Sequence, residues 1–409
     1  MMPAERRTVA SLATVYLIRM LGLFLLLPVL AIHASGFTNA TPMLIGLAMG
    51  AYGLTQAVLQ IPFGRWSDRY GRKPVIAVGL TLFIAGSVLG ALSEDLYVLI
   101  VARALQGGGA ISAAVTALLA DQTRDVVRTR AMALIGISIG LAFVASLVAA
   151  PVLDTLIGVP GMFWLMAGLG IAGLAVTAFV VPPESAEQTA KRGAVQGRLV
   201  EVAFSGQLLP FYAAMFTLHY VLTATFLAVP LMMIDEFGLD RGAHWKVYLG
   251  TFIASLTLTV PMILGAERLH RPATFLVAAM LLTAASQLLL AFEGGAWIVV
   301  LLALVLFFGA VNFLEAQLPA LLSRAAPEGD RGAALGVFAT GQFIGTFFGG
   351  VVGGVLMRYY GLQGVFLGAA VVAVAWTIVA PRIRVAPAGS RAEPAPVGPA
   401  DSTADQSGR

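Results

Sequence analysis

The chain has 409 residues, 59% of them hydrophobic and only 11% charged, with a formal net charge of +4 and no cysteine. Soluble globular chains are about 25% charged, so this composition excludes one and points to solvation by lipid. Absent cysteine excludes disulfides, thiol catalysis and cysteine-ligated metals, and the basic balance follows the loops described below and does not argue for nucleic-acid binding.

A bilayer core of about 30 Å needs roughly 20 apolar residues of helix. Twelve stretches bounded by charge or by Pro/Gly clusters meet that requirement. Spans 1 to 6 are predicted at Val9–Ala34, Pro42–Phe63, Pro74–Leu92, Leu96–Leu119, Ala131–Leu153 and Pro160–Val181. Spans 7 to 12 are predicted at Leu208–Ile234, Trp245–Gly265, Pro272–Phe292, Ala296–Leu322, Ala333–Met357 and Leu362–Ala380. Helix is the reading for all of them, because backbone polar groups in lipid must pair within their own segment and the runs are too long for barrel strands.

Span 1 follows Arg6 and Arg7 and looks superficially like a signal peptide. It is too long for one and no small-residue cleavage site follows, so it reads as a retained span. Arg19 lies about 15 Å along it from its start, and His33 near its far end reads as interfacial. On span 2, Gln56 and Gln60 are one turn apart, share a face and are candidates to line a cavity. Span 4 opens with Arg103-x-x-Gln106-Gly107-x-x-Ala110. Its Gly107–Gly109 run lacks the Gly-Lys-Ser/Thr of a phosphate loop and is better explained by close helix packing. An unpaired arginine at mid-membrane costs roughly 2.5 to 3.5 kcal/mol or more, so Arg19 and Arg103 should each face a water-filled cavity or a partner.

In the second half the carboxylate well inside a span is Glu315, on span 10 with Asn312, whereas Asp154 and Asp235 fall near span ends. His219, midway along span 7, titrates closest to neutral pH together with His33. Glu315 is a candidate for proton coupling or substrate binding, or else half of a static pair; His219 is a coupling candidate or a hydrogen-bonded packing residue.

Lys and Arg stay preferentially in cytoplasmic loops. With the N-terminus inside, 20 of the 25 fall on the cytoplasmic side, from Arg6 and Arg7 through Arg65, Arg69, Arg72 and Lys73 to the tail. Both termini are therefore expected in the cytoplasm. Repeated patterns about 200 residues apart, such as Phe24–Leu30 with Phe226–Met232 and Asp68-Arg69-x-x-Arg72 with Glu267-Arg268-x-x-Arg271, divide the chain into two parallel halves. The expected organisation is a six-helix half at 1–181, a polar connector at 182–207, a second six-helix half at 208–380 and a disordered Ala/Pro/Ser-rich tail at 381–409.

The turn between spans 2 and 3, GRWSDRYGRKP, carries five charges in eleven residues. Its pattern G-x-x-x-D-R-x-G-R-K, Gly64 to Lys73, resembles the signature loop of the major facilitator superfamily, and within it the YajR-type group of bacterial proton-driven efflux proteins. Supporting runs are RMLGLF (Arg19–Phe24), YGLTQAVLQIPFG (Tyr52–Gly64) and RALQGGGAI (Arg103–Ile111). The resemblance covers about residues 8 to 381.

It implies an all-α membrane fold of 12 helices in two pseudo-symmetric halves working by alternating access. Gly64, Asp68, Arg69, Gly71, Arg72, Lys73 and Asp121 would form a conformational latch, with Asp68 meeting the start of span 11 near Gly332 and Arg72 pairing with Asp121, which favours the outward-open state. A carboxylate beside a helix N-terminus gains roughly 0.3 to 1 kcal/mol. The plainer reading, that the cations merely obey the positive-inside rule, leaves Asp68 and Gly71 unexplained.

The cavity candidates are Arg19, Gln56, Gln60, Arg103, His219, Asn312 and Glu315. Proton-coupled efflux of a small amphipathic or anionic compound or drug from a bacterial inner membrane is the first expectation, with the proton gradient as energy source, no cofactor or metal, no nucleic-acid partner and a monomeric state. Proton symport is the alternative, because span 5 reads Gly136-x-x-x-Gly140 and then Ala149-Ala150-Pro151-Val152-Leu153 where antiporters show Gly-Pro-x-x-Gly-Gly. A sensor or scaffold without turnover is a third class permitted by fold alone, against which the buried charges argue. Nothing resembles a nucleophile–base pair, so no enzyme is expected. YajR-type members carry a soluble C-terminal domain where this chain has a short tail.

Overall fold

The computed structural model describes residues 1–184, 199–327 and 330–383. The expected connector residues 185–198, with Lys191, Arg192 and Arg198, and the tail from 384 lie outside the described residues. Among those described the chain is helical and contains no strand.

Among the described residues ten helical stretches are long and apolar enough to cross a membrane, and two of them each comprise two of the expected spans. Asp125–Ala175 loses helical geometry at Gly158 (φ 66°, ψ 169°) and Arg331–Val379 does so at Gly361 (φ 65°, ψ −164°). These breaks fall where the sequence separates span 5 from 6 and span 11 from 12. A positive φ is open to glycine at little steric cost, so the chain reverses there without a loop.

Two expected spans are interrupted. Span 1 is Pro3–Phe24, then turns, then a short helix Leu30–Ser35. Pro28 has no N–H to give the Phe24 carbonyl, and Leu27 N–H bonds that oxygen at 3.1 Å in its place. Span 4 divides into Leu96–Gly108 and Ser112–Asp121. Between them Ala110 N–H bonds Gly108 O at 2.9 Å and Ile111 N–H bonds Gly109 O at 2.8 Å, tight local turns in place of the helical ladder.

The charged turn is also shorter than expected. Span 2 runs Pro42–Tyr70, capped by Thr41 Oγ1, and span 3 runs Arg72–Ala91, so that Gly71 alone (φ 99°, ψ 150°) makes the connection. Asp68 thus sits in the last turn of span 2.

Each half repeats one packing scheme. Span 2 lies against span 4 as span 8 (His244–Arg268) lies against span 10 (Trp297–Ala325), and span 3 against span 4 as span 9 (Pro272–Ala291) against span 10. Span 7 is Leu209–Asp235, buried along most of its length. The halves meet mainly where span 2 crosses span 11.

That crossing is made of backbone. Gly46, Gly50 and Gly53 share one face of span 2; a β-carbon on Gly50 would lie 2.6 Å from Phe347 O and one on Gly53 2.5 Å from Phe343 O, while one on Gly46 would collide with Gly350 O. Small residues permit such approach where no apolar drive exists between helices in lipid. Nearby, Arg358 Nη1 lies 3.3 Å from Met43 Sδ, and Thr155 of span 5 packs beside Gly242 before span 8. All of these contacts lie toward the end of the bundle opposite Arg65–Lys73. At the Arg-rich end, β-carbons on Gly136 and Gly140 of span 5, or on Gly332 and Gly336 of span 11, would meet no described atom within 4 Å. The close backbone contacts between the halves thus lie toward the end opposite Arg65–Lys73.

Candidate transport site

The sequence-expected residues fall into two clusters, one per half. In the first, Arg19, Gln56, Gln60 and Arg103 come together around Tyr52. Arg19 is fully buried; its Nε donates to Gly109 O at 2.9 Å, and its Nη2 to Gln106 O at 3.1 Å and Gln56 Oε1 at 2.5 Å. Its Nη1 donates to the Tyr52 hydroxyl. The two carbonyls lie at the interruption of span 4, where lost helical bonds leave oxygen lone pairs for another donor. Gln56 Nε2 passes on to Gln60 Oε1 at 3.3 Å.

Arg103, 1% exposed, donates through Nη1 to Gln106 Oε1 at 2.7 Å, and Gln106 Nε2 donates to Ser87 Oγ at 2.8 Å. Its Nε has no hydrogen-bond partner among the described residues. The guanidinium carbons of Arg19 and Arg103 lie 4.7 and 4.8 Å from the centre of the same Tyr52 ring, a cation–π arrangement that offsets part of the cost of burial. Two cations therefore share one aromatic ring, and their hydrogen-bond partners among the described residues are carbonyl oxygens, side-chain amide oxygens and a hydroxyl. Sequence reasoning missed Tyr52 and Gln106 in this role. Gln106, three residues after Arg103 on one helical face, was the available signal.

The second cluster holds Glu315, Asn312 and His219. Glu315 answers neither arginine. Its Oε1 lies 3.3 Å from His219 Nε2, with the histidine side chain 3% and the glutamate 37% exposed. His219 Nδ1 faces Met215 O at 3.3 Å, and Nε2 also faces Gln342 Nε2 of span 11 at 2.9 Å. Asn312 Nδ2 donates to Ser255 Oγ at 3.3 Å. A carbonyl can only accept, so Nδ1 carries a hydrogen, and the Nε2 lone pair is left to accept from the Gln342 amide or to exchange a proton with Glu315. Gln342 was not singled out in the sequence, since its role depends on a contact between residues 123 apart.

At the Arg-rich end, Arg72 draws its neighbours together. Its Nη1 lies 2.5 Å from Asp68 Oδ1 and 2.6 Å from Ser67 Oγ, and its Nε 3.3 Å from Asp121 Oδ2. Asp68 is half-exposed and turned to Arg72. The start of span 3 is capped from elsewhere, since Lys73 N–H donates to Glu184 Oε1 at 2.9 Å and Lys73 Nζ to Val181 O at 2.8 Å. Arg69 stacks toward Tyr70, 5.4 Å from the ring centre. A β-carbon on Gly64 would be 3.6 Å from Ala113 Cβ, an ordinary contact.

Comparison with known proteins places this geometry. The family model "Major Facilitator Superfamily" matches residues 12–266 and 247–406. The chain is 42% identical over 389 residues to the inner membrane transport protein YajR of Escherichia coli strain K12, covering 95% of this chain and 85% of that protein. It is 26% identical over 264 residues to the multidrug resistance protein MdtL of Vibrio parahaemolyticus, covering 62% of this chain and 64% of that one. In fold it is similar to a crystal structure of the nucleoside transporter NupG, with a TM-score of 0.71 at 14% identity over 91% of this chain and 99% of the other. The chain belongs to the major facilitator superfamily: it is a multi-pass membrane transporter and not an enzyme.

Proposed function

We propose that this transporter is a proton-coupled exporter, exchanging protons for a small amphipathic or anionic compound by alternating access, with the Arg-rich end and both termini in the cytoplasm. The observation that carries the reading is the His219–Glu315 contact at 3.3 Å. An acid and a base within direct reach, one partly exposed and the other enclosed, can hold one proton between them and release it when solvent access changes. Burial of ionisable groups inside membrane spans is costly and marks proton or substrate paths. The name of its relative MdtL is in keeping with export of drugs.

With the Arg-rich end inward, the close backbone contacts between spans 2 and 11 at the opposite end support reading this arrangement as inward-open. Asp68 is then engaged by Arg72, and closing the cytoplasmic end would bring it to the start of span 11. The seven latch residues would act together in that step, Arg72 and Asp121 holding spans 3 and 4 while Asp68 changes partner. Proton symport is the second reading, favoured by the span 5 sequence around Pro151, which lacks the glycines of the antiporter pattern.

The test is flux in proteoliposomes over a mixed metabolite and drug panel, with and without an imposed pH gradient. Export driven by an inward proton gradient supports the proposal. Uptake driven by that gradient supports symport, and flux indifferent to both gradient and membrane potential defeats proton coupling.

A further inference from the structure

The turn that joins spans 2 and 3 holds two latch cations that keep hydrogen-bonding capacity in this arrangement. Arg72 is committed to Asp68, Asp121 and Ser67. Arg69, by contrast, makes no hydrogen bond or ion pair among the described residues and is exposed. Lys73 gives one ammonium hydrogen to Val181 O and keeps two others.

Both line a cavity of about 370 Å³ with Tyr70, Pro74 and Glu184. Tyr70 and Pro74 also line a second cavity of about 240 Å³, whose other walls are Phe63, Trp66, Val75 and Val78. The two depressions adjoin at Tyr70 and Pro74, which sets a cationic mouth beside an apolar groove along spans 2 and 3. Trp66 and Val78 are large apolar side chains left about half exposed along it. The main packing partners of span 3 all belong to its own half, so the groove opens to the outside of the bundle and away from the seam between halves.

A charged end at the membrane border, an aromatic residue at headgroup depth and an apolar channel beneath are complementary to one class of molecule. We propose that this groove binds one anionic glycerophospholipid, its phosphate on Arg69 and Lys73 and one acyl chain along Trp66 and Val78. Glu184 on the rim accepts the Lys73 main-chain N–H and stays an anion, so it weakens the attraction that Arg69 and Lys73 supply without cancelling their two charges. Basic residues at the membrane surface attract anionic headgroups, and tryptophan favours the interface.

Trp66 supplies its own probe. The protein is reconstituted in vesicles of phosphatidylcholine containing a minor fraction of brominated phosphatidylglycerol, brominated phosphatidylethanolamine or brominated phosphatidylcholine. The Trp66 contribution is isolated by subtracting the signal of Trp66→Phe from the five-tryptophan protein. Quenching by the anionic lipid should exceed that by either other lipid at equal mole fraction, by about fivefold in local enrichment for each cation engaged. Arg69→Gln should lose that enrichment and Arg69→Lys should keep it. Equal quenching by all three lipids, or full enrichment in Arg69→Gln, overturns the proposal. So does preference for phosphatidylethanolamine, which would mean that Glu184 selects a headgroup amine. Displacement of the anionic lipid by inorganic phosphate at unchanged ionic strength would assign the site to a soluble anion and overturn it too.

Discussion

His219 and Glu315 meet at 3.3 Å across the packing of spans 7 and 10, and the Gln342 amide lies 2.9 Å from the same imidazole nitrogen. One lone pair thus has two claimants from two helices. If it is the seat of coupling, Glu315→Gln should leave substrate counterflow intact while gradient-driven transport falls by an order of magnitude. Loss of both, with the protein folded, would make Glu315 a substrate ligand; retention of both would make the contact static.

Asp68 to Arg72 is the second such relationship. Asp68→Asn keeps size and much of the hydrogen bonding and removes the charge, and Asp68 is exposed enough that the ion pair adds at most about 1 kcal/mol. Melting temperature should therefore change little. Spin labels at the Arg-rich ends of spans 2 and 11 should report a smaller population of short distances than in the parent protein. Unchanged distances together with full transport would leave only the positive-inside explanation for this turn.

Arg19→Ala tests the first cluster. Removing the guanidinium leaves Gln56 Oε1 without a donor among the described residues, at roughly 1 to 3 kcal/mol, while Gly109 O and Gln106 O keep the main-chain N–H groups of Ile111 and Gly109; relief of repulsion with Arg103 offsets part of the cost. Thermal stability in detergent should fall by several degrees, and transport with it. Arg19→Lys should recover only part, because a point charge cannot reach four acceptors that a planar fork serves. A stable, inactive Arg19→Ala protein would instead return Arg19 to the substrate cavity.

A pH effect is expected at the opposite end. Glu236, in the loop after span 7, is raised to about 7, first by partial burial and then by its contact with Glu293 and the charge of Asp235. A raised carboxyl stabilises the folded state below its unfolded value and loses that contribution as pH climbs through the folded one. Melting temperature should therefore decline between about 4.5 and 7, and Glu293→Gln should flatten the decline. An identical profile in the variant would show that the pair contributes nothing.

The spans were legible because hydropathy over twenty residues is a strong signal, and even the reversals at Gly158 and Gly361 fell where charge and glycine interrupt it. The interruptions within spans 1 and 4 were not, since Pro28 and Gly107–Gly109 are compatible with a continuous membrane helix until its neighbours are known. For the buried arginines the sequence predicts a water-filled cavity or a partner, without saying which. The answer lay in main-chain oxygens exposed by the irregularity in span 4, invisible to any count of side chains. Glu184 capping Lys73, like Gln342 beside His219, joins residues more than a hundred positions apart, and no local pattern announces such pairs.

The glycine face shared by spans 2 and 11 bears on how the halves can move. Interlocked side chains act as teeth, and passing from one register to the next means climbing over them. Where Gly46, Gly50 and Gly53 lie against the backbone around Phe343, Phe347 and Gly350, there are no teeth. Such a surface behaves as a plain bearing, on which one half can roll against the other through a continuum of angles. A single leucine at Gly50 would act as a wedge, holding that end of the bundle apart and turning a reversible pivot into a fixed spacer.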